Sequence, residues 1–205
     1  MDELRPPAMF LADSIGLDFL NSVATPVDVP VDWIPDGDGL LAWLEQAGVV
    51  PAAVLTQLRA RLLPGELDAV AAQARTLREW FRAFVRKHKG RPLNAATLRE
   101  LEPLNRLLER DEAFARVVAG DDDRLALRMT RRWRSPESLL LPIGEALAAV
   151  VCDEDFTHVK ACEGPTCTLL FADHTRARAR RWCSMAVCGN RAKVAAHRQR
   201  QRDET

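Results

Sequence analysis

The sequence predicts an α+β protein with a mainly α-helical N-terminal domain that contains a small β-hairpin. A small four-cysteine module ending in a basic helix follows. Three observations lead to this prediction: one long stretch has apolar residues at helical spacing, two short runs flank a turn-forming sequence, and four of the five cysteines fall after residue 160. A chain of 205 residues with 47% hydrophobic residues can build one sizeable core and a small appendage. We place the two domains at residues 1–155 and 156–205.

The clearest predicted helix spans residues 66–88. Its apolar residues recur every three or four positions, as one helical face requires: Val70, Ala74, Leu77, Phe81 and Phe84. Four arginines of this stretch are expected elsewhere on its surface: Arg75, Arg78, Arg82 and Arg86. Shorter helices are predicted at 40–47, 51–63, 94–110 and 135–152. The segment 25–39 is rich in Pro, Asp and Gly and is expected to be a loop.

A β-hairpin is predicted from residues 113–119 and 124–130, which flank the turn-forming run 120–123. Leu125, Leu127 and Met129 alternate with polar or small residues in the second strand. One face of that strand is therefore apolar.

The cysteines form two close pairs: Cys162 and Cys167 are separated by four residues, as are Cys183 and Cys188, with fifteen residues between the pairs. This spacing is typical of a tetrahedral four-thiolate zinc site. Four cysteines fill all coordination positions, so the predicted Zn²⁺ is structural. Because a segment of this size has little core of its own, we expect Cys183→Ser to disorder the tail and leave the N-terminal domain folded.

Other interpretations of the cysteines remain open at this stage. Disulfides and an iron–sulfur cluster could also use the four residues, and His174 could replace one ligand. Cys152, at the end of an apolar helix, is expected to be a buried thiol.

The charge is unevenly distributed along a chain whose formal net charge is zero. Residues 157–205 carry ten Lys/Arg and four Asp/Glu, and residues 174–202 contain no acid. Some of these cations could stabilise the anionic zinc–thiolate group, most plausibly Arg180, Arg181 and Arg191. The remaining excess predicts a surface for double-stranded DNA, with a zinc-braced basic helix in the major groove. The alternatives are a solvated basic C-terminus and a helix that docks on an acidic protein.

The run from Arg181 to Lys193 contains Cys188-Gly189-Asn190-Arg191 and resembles the CGNR zinc finger. The first cysteine pair, followed by Phe171 and Asp173, matches the first half of that family's pattern. The run 17–22, Leu-Asp-Phe-Leu-Asn-Ser, resembles the opening motif of the ABATE domain that usually precedes this finger.

The resemblance implies a DNA-binding transcription regulator of a mostly bacterial family of stress-induced regulators. Its N-terminal domain would sense an unknown signal, with an unidentified small molecule as one candidate effector, or mediate dimerisation. We predict DNA contacts at Arg180, Arg181, Arg191, Lys193, Arg198 and Arg200. A protein-interaction adaptor, and a small-molecule-binding or catalytic N-terminal domain braced by the finger, are the rival functions.

Asp18 and Asn21 lie three residues apart and would share one side of a helix. They either line a ligand pocket or hold the polar part of the core, and the second role is favoured. The four tryptophans of the N-terminal domain are expected in the core or at its rim: Trp33, Trp43, Trp80 and Trp133. No phosphate loop, GxSxG or HExxH motif is present, so no enzyme is expected. We expect a cytoplasmic protein with no membrane partner, and a homodimer, because a lone finger reads few base pairs.

Overall fold

The computed structural model describes residues 7–27, 29–63, 65–120 and 124–203. Seven helices occur in this part of the chain: α1 (Ile15–Leu20), α2 (Gly37–Ala47), α3 (Ala52–Arg61), α4 (Glu66–His88), α5 (Glu102–Leu108), α6 (Leu140–Asp153) and α7 (Asn190–Asp203). Short 3-10 segments precede α5 and α6, at Ala95–Leu101 and Pro136–Leu139. The α+β class is confirmed, and α4 has the predicted bounds.

Three two-stranded antiparallel sheets complete the described fold. They pair β1 (Val23–Val27) with β2 (Val29–Asp32), β3 (Ala113–Ala119) with β4 (Leu125–Arg131), and β5 (Val159–Ala161) with β6 (Leu170–Ala172). The predicted β3–β4 hairpin is confirmed, with β4 one residue later than expected. Most of its turn, residues 121–123, lies outside the described residues. The β1–β2 hairpin is a correction, because its residues were expected in a loop.

The short helix α1 lies in the centre of the protein. Leu17, Phe19 and Leu20 are fully buried. A Cβ on Gly16 would come 2.4 Å from the carbonyl oxygen of Ala146 in α6, so the close crossing of the two helices requires glycine. Trp33 and Trp43 lie in this core, while Trp80 and Trp133 are half-buried at its rim, as expected.

Two arginines of α4 correct the expectation that they lie on its surface. Arg78 is buried and makes a bidentate ion pair with Asp32, with both N–O distances 2.9 Å. Arg82 is also buried and donates to the carbonyl oxygen of Leu20, the last residue of α1, and to that of Val23, the first residue of β1. The Arg82 guanidinium thus satisfies the carbonyl group of Leu20, one of the terminal carbonyl groups for which a helix has no internal partner.

The core continues into the C-terminal part of the chain. Phe156, Val159, Leu170 and Phe171 are buried in the same cluster as the residues of α1 and α4. The four-cysteine module therefore packs against the N-terminal body along β5 and β6. Within the described residues, no helix is both long and apolar enough to cross a membrane.

Candidate metal centre and basic helix

The four cysteine side chains converge at the end of the β5–β6 hairpin. Their sulfur atoms all lie within 4.8 Å of one another. Cys162, Cys183 and Cys188 are buried, whereas Cys167 is partly exposed. Cys162 directly follows β5, and Cys188 lies in the single π-helical turn Met185–Gly189 that leads into α7.

The arrangement fits a tetrahedral zinc ion. With Zn–S bonds of about 2.3 Å, the sulfurs of such a site are about 3.8 Å apart. The Cys167–Cys183 and Cys183–Cys188 sulfur pairs are separated by 3.9 and 3.6 Å. Backbone N–H groups of Gly164 and Cys183 donate to the Cys162 sulfur at 3.4 Å, as the outer contacts of a thiolate ligand do.

The glycine at position 164 is a second observation that favours a metal site at the four cysteines. A Cβ there would lie 3.2 Å from the Cys188 sulfur and 3.0 Å from the Cys167 Cβ. The first cysteine pair can fold this tightly around a small ion only because this position has no side chain.

The electrostatics of the four thiols also favour a cation bound between them. The hydrogen bond from Cys183 lowers the pKa of the Cys167 thiol to about 5. The same contact, with burial and the neighbouring thiolates, raises the pKa of Cys183, and burial raises that of Cys188 to about 12. Four sulfurs this close cannot all ionise by themselves, and a divalent cation at their centre removes the conflict.

A buried carboxylate, Asp173, organises the loop between β6 and the second cysteine pair. Its oxygens accept hydrogen bonds from Lys160 at 2.7 Å, from Thr175, and from the backbone N–H of Arg180 at 2.9 Å. Burial alone would raise the pKa of Asp173, but these hydrogen bonds outweigh it and hold the pKa well below its usual range. The sequence indicates Asp173 only through the family resemblance, and nothing in it indicates the partner Lys160.

Arg180 is part of the structural framework of the module. Its guanidinium lies 4.4 Å from the ring centre of Phe171 and donates to the carbonyl oxygens of Leu11, Trp182 and Cys183. It also pairs with Asp13. Arg180 therefore ties the second cysteine pair to the N-terminal segment.

Asp18 and Asn21 hold together segments that are distant in sequence. One Asp18 oxygen accepts from the backbone N–H groups of Leu11 and Ala12, at 2.8 and 2.9 Å. Asn21 makes two hydrogen bonds to the backbone of Leu170 in β6, from Nδ2 to the carbonyl at 2.7 Å and to Oδ1 from the N–H at 2.9 Å. Burial raises the pKa of Asp18 to about 6, although both backbone donors oppose the shift. This geometry favours the structural role over a ligand pocket.

Four of the other predicted DNA contacts are exposed, whereas Arg191, like Arg180, is half-buried. Arg181 pairs with Glu163 at 2.6 Å on the surface, and Arg191 donates to Thr166 at 3.3 Å. Lys193, Arg198 and Arg200 are exposed on α7. The structure brings these last three together on one helix and places Arg180 apart from them.

Two minor expectations have clear structural outcomes. Cys152 is exposed at the end of α6, so the prediction of a buried thiol is wrong. The apolar residues of α6 end with Val150 and Val151, and position 152 falls on the outer side of the helix. His174 makes a 2.7 Å contact with Glu154 and is not among the four converging ligands.

The fold and the site together define a helical body to which a four-cysteine finger is joined by a shared core. Residues 13–154 match the model of the ABATE family, described as "Putative stress-induced transcription regulator", and residues 158–201 match the CGNR zinc finger. The chain therefore belongs to the ABATE family and carries a CGNR zinc finger. A search of curated proteins found no match.

Proposed function

We propose that this protein binds one structural zinc ion through its four cysteines and uses α7 to bind double-stranded DNA. The observation that carries the proposal is the helix itself. It follows the metal centre directly, and every described side chain beyond Ala192 is exposed. A basic helix braced at one end by a metal site has the dimensions of an element that enters a major groove.

The charges of α7 lie in two rows. Arg191, Arg198 and Arg202 recur at intervals of seven and four residues, so they lie along one side of the helix. Lys193 and Arg200, seven residues apart, lie along the other side. Between the rows is a strip of small residues, Ala192, Ala195 and Ala196. A helix of this design can approach base edges with its small side chains while the cations on both sides reach the phosphates of the two strands.

Two of the predicted DNA contacts are already engaged by other groups of the protein. Arg180 is engaged by backbone carbonyls and Asp13, so we assign it to the framework. Arg181 can reach a phosphate only by releasing Glu163. The contacts that we propose as primary are those of α7, and Arg191 sits where the helix leaves the metal centre.

The test is fluorescence anisotropy of the zinc-loaded protein on fragmented genomic DNA over a salt series. We expect affinity to fall steeply with salt, because each neutralised phosphate releases a counterion. The double variant Arg198→Ala/Arg200→Ala should weaken binding at least about tenfold and reduce the slope of the log–log plot by about 2.

The matched control is Arg86→Ala/Arg91→Ala, which removes the same charge from exposed positions of the N-terminal body. This variant should bind as the wild type does. Equal losses in both variants, or no binding at low salt, would contradict the proposal. Competition by bulk DNA separates DNA binding from docking on an acidic protein, which such competition would leave intact.

A sensing role for the N-terminal body has one specific observation in its favour. A cavity of about 560 Å³ lies between the N-terminal segment and the finger, with Phe10, Asp13, Trp182 and Met185 in its lining. A molecule bound there would contact both parts of the chain. Screening metabolites by thermal shift, with Phe10→Ala as the variant that should lose any response, tests this role.

A further inference from the structure

One of the four converging cysteines is open to solvent, whereas the other three are not. Cys162, Cys183 and Cys188 expose 8, 1 and 2% of their surface. Cys167 is only half-buried. A small molecule dissolved in water can therefore approach the four-cysteine cluster most closely at Cys167.

The position of Cys167 at the edge of the finger explains its exposure. It ends the turn 164–167, in which its backbone N–H donates to the carbonyl oxygen of Gly164 at 3.1 Å. Pro165 and Thr166, the two residues between them, are exposed. The second cysteine pair instead lies in the core that the finger shares with the body.

A cation lies beside this turn. The Arg191 guanidinium donates to the hydroxyl oxygen of Thr166 at 3.3 Å, and Thr166 directly precedes Cys167. A guanidinium close to a reacting sulfur stabilises the negative charge that develops on a leaving oxygen. The turn therefore combines an accessible sulfur with a nearby positive group.

A second sulfur lies within reach of the first. The sulfur atoms of Cys167 and Cys183 are 3.9 Å apart. A disulfide needs a separation of about 2.05 Å. Because Cys183 is held in the core and Cys167 lies on an exposed turn, a shift of about 2 Å in that turn is enough to join them.

We propose that Cys167 is a site of oxidation by hydroperoxides and that Cys183 completes the reaction by forming a disulfide with it. The Cys167 thiolate attacks the peroxide and its O–O bond breaks, so that a sulfenic acid forms and an alcohol or water leaves with a proton taken from solvent. The Cys183 thiolate then attacks the oxidised sulfur, and the S–O bond breaks as a second proton converts the leaving oxygen to water. The two thiolates together supply the two electrons that reduce one peroxide.

The reaction removes two of the four ligands of the proposed zinc ion. Cys162 and Cys188 remain, and two thiolates are too few for a structural zinc site. Cys188 lies in the π-helical turn that leads into α7, and Arg191 of α7 bonds to the turn that carries Cys167. We therefore expect oxidation to release zinc and to loosen the base of α7. The inference rests on the proposed zinc site but not on DNA binding.

The test uses the full-length protein loaded with zinc, and its zinc content is measured first by atomic emission. Hydrogen peroxide is then added, and released zinc is followed with a chromophoric chelator. We expect about one zinc ion to be released per peroxide consumed, and peptide mass spectrometry should identify the Cys167–Cys183 disulfide. Dithiothreitol with added zinc should restore the original zinc content.

Dimedone, which traps sulfenic acids, identifies the first sulfur that reacts. The adduct should form at Cys167 before it forms at any other cysteine. Cys152 is the internal comparison, because it is also exposed but does not belong to the cluster. The variant Cys152→Ser should release zinc at the wild-type rate.

The variant Arg191→Gln tests the role of the neighbouring cation. It should slow peroxide-dependent zinc release at least about threefold, because the positive charge near the leaving oxygen is lost. Arg198→Gln removes the same charge about two turns further along α7 and should have no effect. Zinc transfer to the chelator without peroxide should be equally slow in all three proteins, which distinguishes this role from a weakened metal site.

Several results would contradict the inference. A first adduct at Cys152, a disulfide that joins any other pair, or zinc that stays bound while peroxide is consumed would each overturn it and leave the zinc site in place. A protein that takes up no zinc would overturn the proposed metal site and this inference together. Failure to bind DNA would affect neither the oxidation nor the release of zinc.

Discussion

Asp18 shows how one buried carboxyl group affects the protein at the scale of a single residue. It is nearly inaccessible to solvent, yet it accepts two backbone hydrogen bonds that position the segment before α1. Burial raises its pKa from 3.8 to about 6. A raised carboxyl pKa stabilises the fold below the unfolded pKa, and this contribution is lost as the pH rises through the folded pKa.

We therefore expect the contribution of Asp18 to the free energy of unfolding to fall by about 1 kcal/mol between pH 5 and pH 7. Asp18→Asn, which keeps an acceptor oxygen but does not titrate, should lack this change. Urea unfolding of both proteins at pH 5, 6 and 7 measures it, and the difference between them cancels the pH dependence of metal binding. A difference that stays constant over this range would contradict the assignment.

The four converging cysteines are the site residues that the sequence reveals best. Two cysteine pairs at short spacing can converge through local backbone turns, so the pattern contains most of the geometry. Asn21 and Leu170 are 149 positions apart, and nothing local to either residue indicates their pairing. Arg78 and Arg82 were also missed, although each lies beside the apolar stripe of α4, adjacent to Leu77 and Phe81.

At the scale of elements, the contact between α1 and β6 joins the body to the finger. Both polar groups of the Asn21 side chain are used on Leu170, and the surroundings are buried. Loss of either hydrogen bond leaves a buried backbone group without a partner, which costs more than the bond itself contributes.

We expect Asn21→Asp to destabilise the protein by about 2–4 kcal/mol, because the new carboxylate oxygen faces the Leu170 carbonyl and its charge is buried. The matched control is Asn105→Asp, the same chemical change on the exposed side of α5, which should stay within about 0.5 kcal/mol of wild type. Denaturant unfolding of the three proteins gives the comparison. Equal effects at positions 21 and 105 would show that the contact is weak.

Elements differ in how well their sequence predicts them. The β3–β4 hairpin and α4 follow from local alternation and helical periodicity, and both appear almost as predicted. The β1–β2 hairpin was missed because Pro26 and Pro30 argue against strands. Contacts outside the two strands hold this segment in its hairpin conformation. The N–H of Trp33 donates to the Ser22 carbonyl at 2.8 Å, and Asp32 pairs with Arg78.

At the scale of the whole molecule, the body and the finger share one core. The sequence suggests a tail that could lose its metal without affecting the N-terminal domain. The structure instead buries Phe156, Leu170 and Phe171 among residues of the body, in the same cluster as three of the cysteines. We therefore expect metal binding and the stability of the body to be coupled.

We expect chelation of the zinc to lower the unfolding temperature of the entire protein, in a single transition. The stabilisation lost should be on the order of several kcal/mol. Far-UV circular dichroism reports mainly on the helices of the body, and tryptophan fluorescence also reports on Trp182 in the finger. Coincident transitions before and after chelation support the coupling, whereas an unchanged helical transition would show that the body folds alone.

The shared core also determines what can be inherited or transplanted as a unit. Cutting the chain between the two family matches would expose the apolar side of β6 on one fragment. On the other fragment, the Asn21 side chain, which directly follows α1, would lose the Leu170 carbonyl to which it donates. We therefore expect a finger of this design to fold poorly when it is moved alone onto an unrelated protein. Recombination that succeeds would have to carry the segment from residue 8 to Ser22 together with the cysteines, so we expect these two parts of the sequence to evolve together.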